Sequence, residues 1–209
     1  MLAGYGGYEN GQVVNPSGAW LDVATSYDST CALDDAGEIT CWGNWDASVL
    51  PAGPFTDLSM SDQMGCAWDA SSSLTCWTSA GAYTATRRSS DSITHGTCTD
   101  SSCYFLTDAG EVELATAGGA RTSLESGTYT SVETGMGGFY CLLDTAGELA
   151  CASGDRGSDS PDAGPFTAVG LGALHACGQR DPGVTCGLTP DGVMACWGVS
   201  AGVGRFPRD

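Results

Sequence analysis

Short apolar runs follow one another along the whole chain, and clusters of Gly, Asp, Ser and Pro separate them. In segments such as residues 38–42 and 112–116, apolar side chains alternate with polar ones, which is typical of a β-strand with one buried face. The pattern predicts an all-β protein built from short strands.

The strand pattern repeats five times. Cys41 has a counterpart in every later copy, at intervals of 35, 38, 37 and 45 residues. Each copy is predicted to contain three strands, which in the first copy are residues 20–24, 31–34 and 38–42. Units of this size cannot bury a face alone and stack against their neighbours. A single domain over residues 1–209 therefore holds copies at approximately residues 19–44, 54–79, 89–118, 128–154 and 165–199.

A tight turn joins the second and third strands of each copy. In the first copy the turn ends at Gly37, and Gly at the end of a three-residue loop supplies the positive φ of a bulged hairpin. The second copy has Ser72 in place of this Gly. We therefore expect a looser turn in the second copy.

Most cysteine positions are explained by the hairpin register. A register in which Cys31 faces Cys41 also makes Leu33 face Ile39, and alternation puts all four side chains on one face. Directly opposed cysteines can form a disulfide, whereas zinc ligands usually arrive as closer pairs. The same ten-residue spacing pairs Cys66 with Cys76, Cys141 with Cys151 and Cys186 with Cys196.

Three cysteines and the third copy depart from this pattern. The third copy has Tyr104 and Leu114 at the disulfide positions, an apolar pair that supports a core-facing location. Cys98 and Cys103 lie in a segment predicted to be an extended loop, and we expect them to bridge each other. Cys177 is expected to remain unpaired, because an insertion after it supplies another cysteine for the same partner.

The repeat resembles that of the regulator of chromosome condensation family. The likeness is carried by residues 31–43 (CALDDAGEITCWG), by residues 186–198 and by residues 7–12 (GYENGQ), and it extends over essentially the whole chain. The short period is similar to that of the secreted bacterial branch of β-lactamase inhibitor type, which has three-stranded blades. The resemblance implies a β-propeller. We expect five short blades of three to four strands each, with six blades as the alternative, and an extra closing strand within residues 1–12.

The composition narrows the partners and the compartment. Asp and Glu number 25 against seven cationic residues, all Arg, so the net charge is −18 and nucleic acid is excluded as a partner. No apolar run is long enough for a membrane span, and we expect any signal peptide to be already removed or to precede this segment. Eleven cysteines indicate an oxidising compartment, which predicts an extracellular or cell-surface protein.

The loops between first and second strands are the predicted recognition surface. Because every copy repeats one geometry, these loops emerge at the same end of a propeller, where aromatic and Met side chains can anchor a protein or a glycan. The alternative is that they are half-buried loop residues without a ligand. The tryptophans Trp42, Trp77 and Trp197 are instead predicted to pack between blades, on the face opposite the disulfides. The candidate binding residues are Tyr27, Gln63, Met64, His95, Met136, Phe139, Tyr140 and His175.

Catalytic and metal sites have weaker support. His95 and His175 are accompanied by no nucleophile elbow or metal-binding pair, so no catalytic residue is assigned and a hydrolase ranks third among the functions. No cofactor is expected. Calcium is the one alternative, because residues 154–162 form an acidic segment that is otherwise a solvated linker. Its candidate ligands are Asp155, Asp159 and Asp162.

Two functions from different classes remain. The first is an extracellular, non-enzymatic propeller that presents its loops to a protein or a glycan. The second is a structural subunit of a surface layer or filament, in which the strand in residues 1–12 or Cys177 links copies of the chain. Pairing of that strand with the last blade of its own chain favours the first function, and pairing with a neighbour favours the second.

Overall fold

The protein is built from short β-strands. The computed structural model describes residues 18–26, 28–85, 92–99, 101–117, 119, 121–125, 127–135, 139–152, 165–172, 184–190, 194–197 and 204–206. The only helical element in these residues is one short 3-10 turn, which confirms the all-β class. In the same residues there is no helix long and apolar enough to cross a membrane.

The strands are β1 (Trp20–Thr25), β2 (Ser29–Asp34), β3 (Ile39–Gly43), β4 (Asp57–Met60), β5 (Met64–Trp68), β6 (Leu74–Thr78), β7 (Gly81–Thr84), β8 (Ile93–Cys98), β9 (Ser102–Thr107), β10 (Val112–Thr116), β11 (Arg121–Glu125), β12 (Tyr129–Thr134), β13 (Tyr140–Asp144), β14 (Leu149–Ala152), β15 (Ala168–Gly172), β16 (Val184–Leu188), β17 (Met194–Trp197) and β18 (Gly204–Phe206).

These strands form five antiparallel sheets, in which neighbours in the chain are neighbours in the sheet. Sheet 1 contains β1 to β3, sheet 2 contains β4 to β7, sheet 3 contains β8 to β11, sheet 4 contains β12 to β14 and sheet 5 contains β15 to β18. Meanders of this size are the blades of a propeller. The number of blades in the closed ring stays a prediction, and residues 1–12 lie outside the described residues.

Three sheets have a fourth, outer strand, which agrees with blades of three to four strands but whose position the sequence did not reveal. The strands β7 (GAYT) and β11 (RTSLE) carry few apolar residues, because an outer strand at the edge of a sheet has a solvent-facing side. In sheet 5, β18 pairs with the outer edge of β17. These strands extend the second, third and fifth copies beyond their predicted ends.

The predicted hairpin register is confirmed. Cys31 lies opposite Cys41, and Leu33 lies opposite Ile39. The corresponding cysteine pairs are opposite each other in sheets 2, 4 and 5. The apolar pair of the third copy occupies the same position in sheet 3.

Four disulfides join the cysteines whose side chains are described. Three of them link second and third strands at the ten-residue spacing. The fourth links Cys98 to Cys103, and the expectation of an extended loop there is wrong, because Cys98 ends β8 and faces Cys103 in β9. Cys186 and Cys196 face each other in the backbone ladder of sheet 5, while Cys177 lies outside the described residues.

Each sheet packs one face against the following sheet. We call the face that carries the disulfide position, and that packs on the following sheet, the forward face, and the opposite one the backward face. Between sheets 1 and 2, Cys31 lies in a cluster with Leu58 and the fully buried Trp77. Between sheets 2 and 3, the rings of Trp68 and Phe105 meet edge to face with centroids 5.6 Å apart. Two more clusters join sheet 3 to sheet 4 and sheet 4 to sheet 5. The core is therefore a series of layers between sheets.

Tryptophans occupy the backward face of the first two sheets. Trp77 packs towards sheet 1 while the disulfide of its own sheet packs towards sheet 3, which confirms its predicted position between blades. Trp42 is half-buried against Trp20, with ring centroids 6.2 Å apart. Leu21 and Val23 of β1 are 61% and 41% exposed, so the described residues leave part of the backward face of sheet 1 uncovered. The side chain of Trp197 lies outside them.

A backbone hydrogen bond fixes the start of each following sheet. The carbonyl of Gly37, in the turn of sheet 1, accepts a hydrogen bond from the N–H of Phe55 at 2.9 Å. The turn glycines of sheets 3 and 4 accept in the same way from the segments that lead into sheets 4 and 5, at 2.9 and 2.8 Å. Consecutive sheets are thereby joined through their main chains.

Ser72 performs this function in sheet 2. It has a φ of 58°, and its Oγ accepts a hydrogen bond from the N–H of Ile93 at 2.8 Å. The N–H of Ser72 donates to the carbonyl of Asp69 at 2.8 Å, and the N–H of Asp69 donates to the carbonyl of Ser73 at 3.2 Å. The same two hydrogen bonds close the turn at Gly37, so the expectation of a looser turn is wrong.

Replacing Ser72 with Ala should lower the free energy of unfolding by about 1–3 kcal/mol, because the N–H of the buried Ile93 then loses its acceptor. Ser72→Gly loses the same acceptor but accommodates the positive φ without strain, so it should be less destabilising. Urea unfolding followed by circular dichroism measures both changes, with Ser123→Ala on the exposed part of β11 as the control. A midpoint for S72A equal to that of the control would contradict this role of the hydroxyl.

Candidate functional site

A groove of about 520 Å³ opens at one end of the molecule. The loops between first and second strands emerge at this end, together with the segments that follow the third strands. Three consecutive sheets contribute side chains, so the groove crosses the boundaries between sheets 1, 2 and 3. We call it the end groove, and its lining residues include Asn44, Trp45, Asp46, Asp62, Gln63 and Ser101.

The segment after β3 forms one wall of the end groove. Asn44 attaches it to the neighbouring loop, because its N–H donates to the carbonyl of Asp28 at 3.0 Å and its Nδ2 donates to Oδ2 of Asp28 at 2.8 Å. Asp46 caps the short 3-10 turn Ala47–Val49 by accepting from the N–H of Ser48 at 2.9 Å. Hydrogen bonds from the side chain and the backbone of Ser48 hold the pKa of Asp46 below its ordinary value, so this exposed carboxylate is charged at neutral pH.

Trp45 anchors the same wall to the core. It is half-buried and packs, together with Val49, against the cluster between sheets 1 and 2. Its Nε1 is buried without a hydrogen-bond partner among the described residues. The indole is therefore held in place by packing, and its accessible part belongs to the groove lining.

The loop between β4 and β5 forms the opposite wall. The N–H of Ser61 donates to the carbonyl of Met64 at 2.7 Å, and Oγ of Ser61 accepts from the N–H of Met64 at 3.2 Å. Both residues are buried, whereas Asp62 and Gln63 at the tip are exposed. Met64 has no exposed surface, so the expectation that it is an exposed binding anchor is wrong. Its backbone hydrogen bonds to Ser61 instead hold the base of the loop.

Other predicted binding residues are dispersed. His95 lies within the strand β8 and not in the loop after it, which corrects its predicted place. Tyr140 is half-buried against Tyr104, with ring centroids 5.0 Å apart, and Phe139 packs on the cluster between sheets 4 and 5. The predicted residues that lie outside the described part of the chain are Tyr27, Met136, His175, Asp155, Asp159 and Asp162.

A second cavity, also of about 520 Å³, is lined by the innermost strands β1, β4, β8 and β12. We call it the channel. Asp22, Asp57, His95 and Ser131 occupy one ladder position in sheets 1 to 4, each opposite the residue two places beyond the disulfide position. The sequence contained this signal, since the repeat alignment places a polar residue at the same position in the first strand of four copies.

Two carboxylates in the channel share one donor. The N–H of Leu58 donates to Oδ2 of Asp22 at 3.1 Å and to Oδ1 of Asp57 at 2.9 Å. Burial, followed by the hydrogen bond and the negative charge of Asp22, raises the pKa of Asp57 to about 7. The pair therefore holds a proton below neutral pH, and this proton lies between sheets 1 and 2.

His95 and Glu133 form the polar contact on the other side of the channel. Nε2 of His95 lies 3.7 Å from Oε1 of Glu133. Burial raises the pKa of Glu133, and the charge of His95 opposes that increase. In the described part of the chain, one group of three metal-ligating side chains comes within 4.8 Å, namely Cys66, Cys98 and Cys103. All three are in disulfides, which removes the thiolates that a metal would need.

Solved structures resemble this fold. Human WBSCR16 superposes with a TM-score of 0.72 at 12% identity, over 93% of this chain and 68% of that one. The ectodomain of the Physcomitrella patens receptor kinase CR4 gives 0.66 at 20% identity, over 84% and 53%. Yeast RCC1 (Prp20) in its complex with Kap60 gives 0.63 at 13% identity, over 84% and 55%. The neighbours thus include RCC1-like propellers, and the β-propeller class is confirmed.

Sequence comparison adds no closer relationship. No protein-family model matches the chain, and the curated proteins give no significant match. The chain spans between about half and two thirds of the three structures named above. At identities of 20% and below, the likeness shows the fold alone.

Replacing Asp57 with Asn should weaken a pH dependence of stability. The pKa of Asp57 in the folded state, about 7, lies above its ordinary value of 3.8, so the folded state keeps a proton that the unfolded state releases. This group therefore stabilises the fold fully below about pH 4, and the stabilisation is lost as the pH rises through about 7. Because the carboxyl is only half-buried, we expect a loss of about 1–2 kcal/mol over this range.

Urea unfolding at about pH 4.5 and about pH 8 measures this difference for the wild type, for D57N and for the control D35N. Asp35 is exposed in the turn of sheet 1, so D35N matches the change of charge without touching the channel. D57N should show a smaller loss between the two pH values than the other two proteins. An equal loss in all three would mean that Asp57 does not hold the proton.

Proposed function

We propose that this chain is a non-enzymatic, extracellular binding propeller that presents its groove-bearing end to a partner. Of the two partner classes, we favour a protein over a glycan. The observation that carries the proposal is the end groove itself. Side chains from three sheets converge there on loops that are fixed by their own hydrogen bonds. A rigid scaffold with exposed loop residues is the usual arrangement of a recognition surface.

Structural neighbours support binding as the general role. The yeast RCC1 structure is a complex with Kap60, and the CR4 structure is the ectodomain of a receptor kinase. Fold alone does not define function, so the end groove remains the principal support. We also propose that the chain is related to the secreted bacterial branch that the short repeat resembles.

One feature supports a role without catalysis. All eight cysteines with described side chains are in disulfides, so none of these thiols can act as a nucleophile. The same disulfides require an oxidising compartment. An extracellular location agrees with them and with the net charge of −18.

A structural subunit is the second candidate, and the part of sheet 1 that the described residues leave uncovered favours it. Leu21 and Val23 are exposed apolar residues on the innermost strand of that sheet. In the other interfaces, the forward face of one sheet covers the backward face of the next. A neighbouring copy could cover this face and extend the assembly in one direction.

Photo-crosslinking at two ends of the molecule tests the first proposal. A benzoylphenylalanine residue replaces Gln63 in the end groove or Ala36 in the turn of sheet 1, both of which are exposed. We expect a covalent partner from the native secretome with the Gln63 replacement only, because the partner covers that end. Efficient crosslinking from position 36 with none from position 63 would place recognition at the opposite end.

Deleting residues 1–12 separates the two candidates. If the extra strand pairs within its own chain, the deletion should lower the melting temperature of a monomer without changing its mass in solution. Light scattering after size exclusion measures the mass, and scanning calorimetry measures the melting temperature. A deletion that leaves the melting temperature unchanged but dissolves an oligomer would favour the structural subunit.

A further inference from the structure

We propose that the end groove binds a lysine or arginine side chain of a basic polypeptide segment. This inference rests on the proposed function, and it names the chemistry of the partner. The juxtaposition behind it is a packed tryptophan between two exposed aspartates, in a groove where none of the described lining residues is cationic.

The charge of the groove favours a cation. Asp46 and Asp62 are exposed on opposite walls, and Asp46 is held in place by its hydrogen bond to Ser48. The chain has no Lys and a net charge of −18, and the buried Arg121 is paired with Glu113. The surrounding field therefore attracts a basic segment and repels an acidic protein or an acidic glycan.

Apolar groups between the carboxylates suit the stem of such a side chain. Trp45 and Val49 lie along one wall, and Ala117 comes from sheet 3. The methylene groups of Lys and Arg bury against apolar surface while the charged head stays close to carboxylates. A cation over the indole face gains further attraction from the ring, which distinguishes this groove from an acidic surface without an aromatic residue.

Neutral polar groups in the groove suit the main chain of a polypeptide. Gln63 and Ser101 are exposed on loops of adjacent sheets. An amide and a hydroxyl can each donate to a carbonyl and accept from an N–H. A neutral sugar could use these groups, the indole and, through its hydroxyl groups, the carboxylates as acceptors. It would lack the attraction between opposite charges that a cationic side chain gains from the two carboxylates.

The test uses fluorescence anisotropy of labelled eight-residue Gly-Ser peptides that contain two Lys. The matched probe is the same peptide with both Lys side chains acetylated, which removes the charge and keeps the stem. We expect the dissociation constant of the full chain for the charged peptide to be at least about fivefold lower at low ionic strength. The difference should shrink as salt is added.

Variants locate the binding. D46N/D62N should weaken binding of the charged peptide about four- to twentyfold, and Asn keeps the capping function of position 46. Trp45→Leu keeps an apolar side chain but removes the aromatic face, and it should weaken binding about two- to fivefold. The control D35N/E111Q makes the same change of charge at exposed sites on the opposite end, and it should leave the dissociation constant within about twofold.

Four outcomes would overturn the inference. Equal weakening by the control pair would mean non-specific attraction to an acidic protein, and an unchanged dissociation constant for W45L would exclude the tryptophan. Binding of neutral oligosaccharides on a glycan array, insensitive to salt and lost in W45L, would assign the groove to a glycan. If position 63 still crosslinks a partner protein while D46N/D62N has no effect on its binding, the proposed function stands and the cationic side chain does not.

Discussion

The hydrogen bond between the turn of one sheet and the segment leading into the next sheet is the constraint on which the rest of the structure depends. Gly37 has a φ of 80°, and a Cβ on it would lie 2.7 Å from the backbone nitrogen of Phe55. Two main chains can approach so closely only where the turn residue has no side chain. This approach brings the forward face of sheet 1 against the backward face of sheet 2, where Cys31 and Trp77 share one cluster.

The disulfides stabilise individual sheets, whereas the hydrogen bonds between turns and the following segments determine how the sheets are arranged. Each of the three that follow the repeat closes a loop of ten residues, so its entropic contribution is at most roughly 3 kcal/mol. Cys31, Cys66 and Cys141 are fully buried in the layers between sheets, where they also fill space as small apolar groups. Tyr104 and Leu114 hold the same ladder position in sheet 3 without a cross-link, which shows that packing alone can complete a layer.

The sequence predicted the structure best where a residue type is compatible with a single geometry, as it is for cysteines that face each other across a hairpin. Opposed cysteines ten apart determined the register, and the register determined which face of each hairpin is buried. The outer strands were not located because β7 (GAYT) and β11 (RTSLE) contain few apolar residues and therefore give a weak strand signal in the sequence. Ser72 was misjudged because it adopts the positive φ that a Gly usually supplies. Its Oγ then accepts the hydrogen bond that links sheet 2 to sheet 3. Met64 and His95 were misplaced because β5 begins at Met64 and β8 continues to Cys98, so the strands extend into segments that were expected to be loops.

The polar residues of the channel and those of the end groove differ in the hydrogen-bond partners that they use. In the channel, the N–H of Leu58 joins sheet 2 to Asp22 of sheet 1, and the hydroxyls of Thr97 and Thr134 join sheets 3 and 4 at 2.7 Å. These groups hold neighbouring sheets together, so a ligand would have to displace contacts that the fold needs. In the end groove, by contrast, hydrogen bonds position the loops and leave exposed side chains at their tips. Recognition can therefore vary there without a cost to the propeller.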